Sequence, residues 1–171
     1  MMRNQLIALV RNRPRNRAFT LVEIMVVVVI IGLLAAMGLP AFRRVTMRSK
    51  ASAVQHDLGA FSTAFITYNL QNGRWPADAA AGQIPPELQN ALTNSFTLKS
   101  PIGGVYKWNF DVSADGVTAK AAILIESESG NPVSDDEELR ALIDRQMDDG
   151  DLNAGNIQVG STNSLVYIIE R

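Results

Sequence analysis

The chain has 171 residues, 47% of them hydrophobic, with 16 basic and 17 acidic residues and a formal net charge of −1. It contains no cysteine, so any exported domain must rely on its core or on bound ions rather than on disulfide bonds. One histidine, no cysteine and no glycine-rich phosphate loop leave no catalytic constellation, which argues against an enzyme.

The charges are unevenly distributed along the chain. Residues 1–18 carry no acid and five basic residues, Arg3, Arg11, Arg13, Arg15 and Arg17. The remainder has 11 basic and 17 acidic residues, a net charge of −6. An acidic remainder argues against nucleic acid as its partner, so no nucleic-acid binding is expected.

An apolar segment follows, residues 19–42, in which Glu23 is the only charge among 24 residues. As a helix it would be about 36 Å long, enough to cross a hydrocarbon core of about 30 Å. A carboxylate in such a span costs about 2.5–3.5 kcal/mol, so Glu23 needs a partner or a function. A cut between Ala18 and Phe19 would supply one, because the new α-amine would lie one helical turn from Glu23 of its own chain or beside that of a neighbour.

The stretch Ala18-Phe19-Thr20-Leu21-Val22-Glu23, the apolar run and Pro40 resemble the class III signal of type IV pilins and type II secretion pseudopilins. The resemblance implies that a prepilin peptidase cuts before Phe19 and methylates its amine. It implies that Glu23 acts in assembly, where a neighbour's Phe19 amine would set the axial register. Pro40 is where the family bends its first helix. The family usually has Gly before the cut, and Ala18, which is also small, is still expected to permit cleavage.

The pattern changes to an amphipathic helix over residues 43–72. Apolar side chains recur every three or four residues, at Val54, Leu58, Phe61, Phe65 and Tyr68. This spacing predicts one face packed against a sheet. The Asn72-Gly73 pair predicts the end of the helix.

The remaining residues, 73–171, are expected to form a globular head. The stretch Gly73-Arg74-Trp75-Pro76 resembles the Asn-Gly-Arg-Tyr-Pro sequence of major pseudopilins, with Trp for Tyr. A short helix is predicted to begin at Pro86. Apolar residues alternate from Tyr106 to Val112, a turn follows at residues 113–116, and a second strand returns. This pattern predicts an antiparallel hairpin. Residues 165–169 are predicted to form a last strand that closes the sheet.

A second helix is predicted near residues 135–147, with Ser134 as its N-cap. Its acidic C-terminal end is unfavourable for the helix dipole, so either nearby arginines or a bound metal must offset it. Asp149, Asp151 and Asn153 have the alternating spacing that begins a calcium loop, but the later Gly and Glu of an EF-hand are missing. Major pseudopilins hold calcium in their C-terminal loops, so the resemblance makes these three residues candidate calcium ligands. A plain acidic turn is the alternative.

These observations predict an α+β, pilin-like fold in which a long N-terminal helix packs on a small antiparallel sheet. The predicted function is a structural subunit of a type IV pilus-like filament, most simply a type II secretion pseudopilin. A surface type IV pilin and a single-span anchor with a periplasmic binding head are the alternatives. Besides itself, the subunit would meet membrane lipid, a prepilin peptidase, and the inner-membrane assembly platform and its motor.

The expected location is the inner membrane, crossed once, and afterwards a periplasmic or extracellular filament. Arginines before the span predict a cytoplasmic N-terminus and a periplasmic head by the positive-inside rule. Four basic residues after the span weaken that rule, namely Arg43, Arg44, Arg48 and Lys50. The peptidase signal favours the same orientation.

Overall fold

The computed structural model describes residues 19–114 and 116–171. The chain divides into two compact units, one ending at Ala41 and the other comprising Phe42–Arg171. The predicted leader, including Ala18, lies outside the described residues, as does Asp115 of the predicted hairpin turn.

Helix α1 comprises Leu21–Asn72. Within the second unit it buries a stripe of side chains at three- or four-residue spacing, Met47, Ala51, Val54, Leu58, Phe61 and Phe65. The helix ends where the sequence predicts. Gly73 adopts a positive φ of 68°, which glycine tolerates without a steric penalty, and its amide donates to the Asn69 carbonyl.

Four antiparallel strands form one sheet in the order β1-β2-β4-β3. Their bounds are Val105–Ala114 for β1, Val117–Glu126 for β2, Ile157–Val159 for β3 and Leu165–Glu170 for β4. The predicted hairpin is present, since Val105 pairs with Glu126 and Ala114 with Val117. The prediction that the last strand closes the sheet is wrong, because β4 lies between β2 and the short edge strand β3.

Aromatic rings fill the space between α1 and the sheet. Phe61 meets Tyr106 edge to face at 4.9 Å between ring centroids, and Phe65 stacks on Trp108. Phe96 adds an edge contact to Phe61 at 5.0 Å. The predicted apolar face of α1 therefore packs against that of β1. The helical period of 3.6 residues and the strand period of 2 residues each place these rings on one face of their element.

The connection from α1 to the sheet runs along the free edge of β1. It contains two short 3₁₀ helices, Pro86–Leu88 and Asn94–Thr97, the first beginning at the predicted proline. The Gly82 amide donates to the Tyr106 carbonyl, and Asp78 Oδ1 accepts from the Phe110 amide. Two backbone groups that β1 would otherwise expose are therefore bonded.

Helix α2 comprises Glu137–Met147 and buries Leu139 and Ile143 on one side. The predicted N-cap, Ser134, is wrong by two residues. Asp136 is the cap, because its side chain accepts from the Leu139 amide while also pairing with Arg43 at 3.1 Å.

Candidate functional site

The apolar part of α1 has the dimensions of a membrane span. Its most apolar 18-residue window has a mean hydropathy of 2.7, and none of that window is buried within the chain. Large apolar side chains from Leu21 to Phe42 stand exposed. Monomeric soluble proteins rarely expose so long an apolar surface, which indicates contact with lipid or with other copies.

Glu23 lies in the first turn of α1, in a local arrangement that the sequence analysis missed. The Glu23 amide donates to Thr20 Oγ1 at 3.2 Å, so Thr20 caps the helix and Glu23 occupies the third helical position. This Thr-x-x-Glu spacing is that of a capping box and was readable from the sequence. A carboxylate there also faces the positive end of the helix dipole. Phe19 precedes this turn and is 74% exposed.

Pro40 lies inside α1, and helical backbone continues on both sides of it. Proline has no amide hydrogen, so one hydrogen bond of the α-helical ladder is missing there. Gly38 leaves the backbone open nearby, since a Cβ added to it would meet nothing within 4 Å.

An acidic pocket lies where α2 ends. The carboxylates of Asp144, Asp148 and Asp149 each bring one oxygen within 4.8 Å of the others. Asp144 is fully buried. Neither of its carboxylate oxygens accepts a well-formed hydrogen bond from the residues that the structure describes.

Burial, together with the charges of Asp149 and Asp148, raises the pKa of the Asp144 carboxyl to about 6, although a contact with the Gly150 amide lowers it in part. A buried carboxylate without a partner is costly, so this group calls for a proton or a cation.

The predicted calcium set is only partly brought together. Asp149 belongs to the acidic pocket, whereas the side chain of Asp151 forms hydrogen bonds within its own loop. Asp151 Oδ1 accepts from both the backbone amide and the side-chain amide of Asn153. The cluster is therefore centred on Asp144 and Asp148. Alternating spacing does not indicate these two residues, because Asp144 lies inside α2 and Asp148 at its C-cap.

Comparison with known proteins bears on the N-terminal segment first. A family model described as "Prokaryotic N-terminal methylation motif" matches residues 13–39. The chain is 37% identical over 85 residues to the fimbrial protein EcpC of Eikenella corrodens, covering 50% of this chain and 56% of that protein. It is 41% identical over 80 residues to the type IV major pilin protein PilA of Myxococcus xanthus, covering 47% and 36%.

A longer match is to the type II secretion system core protein G of Klebsiella michiganensis, 29% identical over 135 residues and covering 73% of this chain and 92% of that protein. The chain carries a prepilin-type methylation motif and is similar both to type IV pilins and to a type II secretion core protein. The major type IV pilin PilA1 of Clostridium difficile has the same fold, with a TM-score of 0.52 at 16% identity, covering 75% of this chain and 98% of that one.

These comparisons support the methylation motif at the N-terminus and the pilin fold of the chain. The chain spans about half or less of the length of EcpC and PilA, the first two relatives. The relatives include both pilins and a secretion core protein, so the comparisons do not distinguish a surface pilus from a secretion filament. The residues proposed below for processing and assembly are those that the motif contains or adjoins.

Proposed function

We propose that the chain is a pseudopilin, a structural subunit of a type II secretion filament. The observation that carries this proposal is the extent of the match to core protein G, which runs over 92% of that protein. The matches to EcpC and PilA run over 56% and 36% of those proteins. An alignment over 135 residues must include much of the head, because residues 1–72 alone are too few to supply it.

Features of the head support the same proposal. Trp75 of the Gly-Arg-Trp-Pro stretch is nearly buried, and its indole nitrogen donates to Glu170 on β4 at 2.6 Å. This stretch therefore fastens the end of α1 to the sheet. The absence of cysteine is also in keeping with a pseudopilin.

The proposed mechanism begins in the inner membrane, with residues 1–18 in the cytoplasm and the head in the periplasm. A prepilin peptidase cuts between Ala18 and Phe19 and methylates the new amine. The assembly platform and its motor then draw the subunit into a helical polymer, in which the exposed apolar part of α1 exchanges lipid for other copies. The Phe19 amine of one copy pairs with Glu23 of another, and Pro40 provides the point at which α1 adapts.

Two experiments test this. Deleting the gene in the source bacterium is expected to stop release of secreted enzymes while surface filaments and surface motility persist. Normal secretion with lost surface filaments would assign the chain to a surface pilus instead, the alternative favoured by its pilin relatives. Mass spectrometry of the membrane-extracted protein is expected to find a methylated N-terminal Phe19. An intact Met1 would favour a single-span anchor.

We also propose that the acidic pocket holds a divalent cation, with calcium the natural choice for a set of oxygen ligands. The supporting observation is the fully buried Asp144 carboxylate, whose two oxygens accept no well-formed hydrogen bond within the part of the chain that the structure describes. Asp144, Asp148 and Asp149 would supply its carboxylate ligands. A bound divalent cation would offset two of the three negative charges and anchor the loop after α2, a structural contribution to the head.

The cation proposal is tested by thermal unfolding of the detergent-solubilised full chain with calcium or with a chelator. Calcium is expected to raise the unfolding temperature of the wild type, and Asp144→Asn to remove that increase. Asp135→Asn, which removes an exposed acid outside the pocket, is the matched control and should respond like the wild type. The same temperature with calcium and with chelator would end the proposal.

A further inference from the structure

A basic pocket lies between α1 and α2 in the second unit. Its lining consists of Arg44, Met47 and Arg48 from α1 and Glu138, Leu142 and Arg145 from α2. Its volume is about 260 Å³, below the roughly 300–1,000 Å³ of typical small-molecule pockets. A space of this size suits a compact charged group rather than a whole organic ligand.

The arginines of this pocket have spare hydrogen-bonding capacity. Arg44 and Arg48 lie one turn apart on the same side of α1, and neither guanidinium group has a hydrogen-bond or ion-pair partner among the described residues. Arg145 donates only its Nε hydrogen, to the Ala141 carbonyl. Forked donors that are left free match the oxygens of a phosphate.

The only acid in the lining does not cancel this charge. Glu138 lies 3.9 Å from Arg43, which also binds Asp136, so its carboxylate is shared with a guanidinium outside the pocket. Three arginines therefore face one partly occupied carboxylate. The pocket carries a net positive charge and calls for an anion.

The position of the pocket along the chain indicates which anion. Arg44 comes two residues after Phe42, the last residue of the apolar segment, a rise of about 3 Å in a helix. Arg48 comes one further turn along. The polar headgroup layer on each side of a bilayer is about 5–7 Å thick. In a membrane-inserted subunit, Arg44 therefore lies within the layer that contains the lipid phosphates. The Arg48 backbone lies about 9 Å past Phe42, and its long side chain extends back toward that layer.

We propose that this pocket binds the phosphate of an anionic phospholipid on the side of the membrane where the head lies, while the subunit awaits assembly. The inference rests on the proposed membrane-inserted state. It accounts for the basic residues after the span, which the positive-inside rule disfavours there. It also assigns a role to Arg145, which is distant in sequence and reaches the same space from α2.

The test uses the full chain, purified in detergent with equal amounts of phosphatidylglycerol and phosphatidylcholine and examined by native mass spectrometry. The wild type is expected to retain phosphatidylglycerol preferentially. The double variant Arg44→Gln/Arg48→Gln should retain about tenfold less, since each basic residue near a membrane surface contributes to lipid affinity. Arg145→Gln should lower retention as well. Arg74→Gln, an exposed arginine at the other end of α1, is the matched control and should change nothing.

Several outcomes would overturn the proposal. Unchanged retention by the double variant would do so, provided that its thermal unfolding matches the wild type. Loss in the double variant without loss in Arg145→Gln would indicate diffuse attraction rather than a pocket. Equal occupancy by inorganic phosphate in the absence of lipid would assign the site to a free anion.

Filament assembly, scored separately in the same variants, distinguishes this inference from the proposed function. If filaments form normally while lipid retention is lost, both stand. If lipid retention is normal while assembly fails in the variants, the pocket takes an acidic side chain of a neighbouring copy, and the lipid assignment is wrong. If the wild type forms no filaments, the filament proposal fails while the lipid measurement still decides the pocket.

Discussion

The phenyl ring of Phe65 on α1 stacks on the indole of Trp108 on β1, with centroids 3.8 Å apart and planes 9° from parallel. Both rings are fully buried. Trp108 is in turn fixed by a hydrogen bond from its indole nitrogen to the Pro76 carbonyl at 3.1 Å. This contact joins the long helix, the connection that follows it and the sheet at one point.

Replacing Phe65 with Ala should therefore destabilise the head by about 3–5 kcal/mol, the usual cost of deleting a buried phenylalanine ring. The measurement is chemical denaturation of the detergent-solubilised full chain, followed by tryptophan fluorescence. Ile66→Ala, at the next and 40% exposed position, is the control and should cost less than about 1 kcal/mol. Similar losses for both variants would contradict the assigned role of the stack.

Gly104 is expected to tolerate no side chain. A Cβ at this position would overlap the Glu126 carbonyl oxygen and approach Val133 Cγ2 to 2.6 Å, with φ at +72°. Gly104→Ala should lower the free energy of unfolding by several kcal/mol, through strain and overlap together. Gly130 has a similar φ of +76° but open space around it. Gly130→Ala should therefore cost only the roughly 1–2 kcal/mol of the backbone conformation, and equal costs would exclude close approach as the cause.

The cap of α2 gives a third prediction. Asp136→Ala removes both the acceptor for the Leu139 amide and the partner of Arg43, and should cost about 1 kcal/mol or more in thermal or chemical unfolding. Ser134→Ala removes the originally predicted cap and should cost less. A larger effect at Ser134 would restore the first assignment.

Glu170 provides a pH-dependent contact. Hydrogen bonds from Lys120 and Trp75 hold the pKa of the Glu170 carboxyl below its usual value. A lowered folded-state pKa means that the contact stabilises the head above the unfolded-state pKa and is lost as the pH falls through the folded-state pKa. Trp75 fluorescence, taken as the difference from a Trp75→Phe variant, should report a midpoint below the ordinary glutamate value. Lys120→Gln should raise that midpoint, and an unchanged midpoint would contradict the assigned cause.

Glu23→Ala should leave membrane insertion intact and lower filament assembly, because the proposed partner of the neighbour's Phe19 amine is removed. Membrane fractionation measures the first and recovery of sheared or cross-linked polymer the second. Glu87→Ala, an exposed acid of the head, serves as the control. Normal filament formation by the Glu23 variant would argue against the pairing.

The sequence predicts the long helix and the hairpin because both depend on local periodicity. The stripe from Val54 to Phe65 and the alternation at Tyr106 and Trp108 are each set by the backbone geometry of a single element. Their meeting in one core follows, since each presents its rings on one face.

Features that depend on distant contacts were not predictable in this way. Asp136 rather than Ser134 caps α2, and its carboxylate is also held by Arg43, a residue 93 positions away on the other helix. Strand β3 has three residues in a polar, glycine-containing region, and it exists because β4 pairs with it. Asp144 follows Ile143 in a charged stretch, and only the folded structure reveals that its carboxylate is buried.

The connection along the free edge of β1 has a further consequence. Subunits confined to a membrane reach high local concentrations, and an open ten-residue strand would template pairing with the next head. Because Gly82 and Asp78 are bonded to that strand, two of its edge backbone groups are not available for pairing with another head. In the proposed filament, contact between copies is then left to the exposed apolar part of α1.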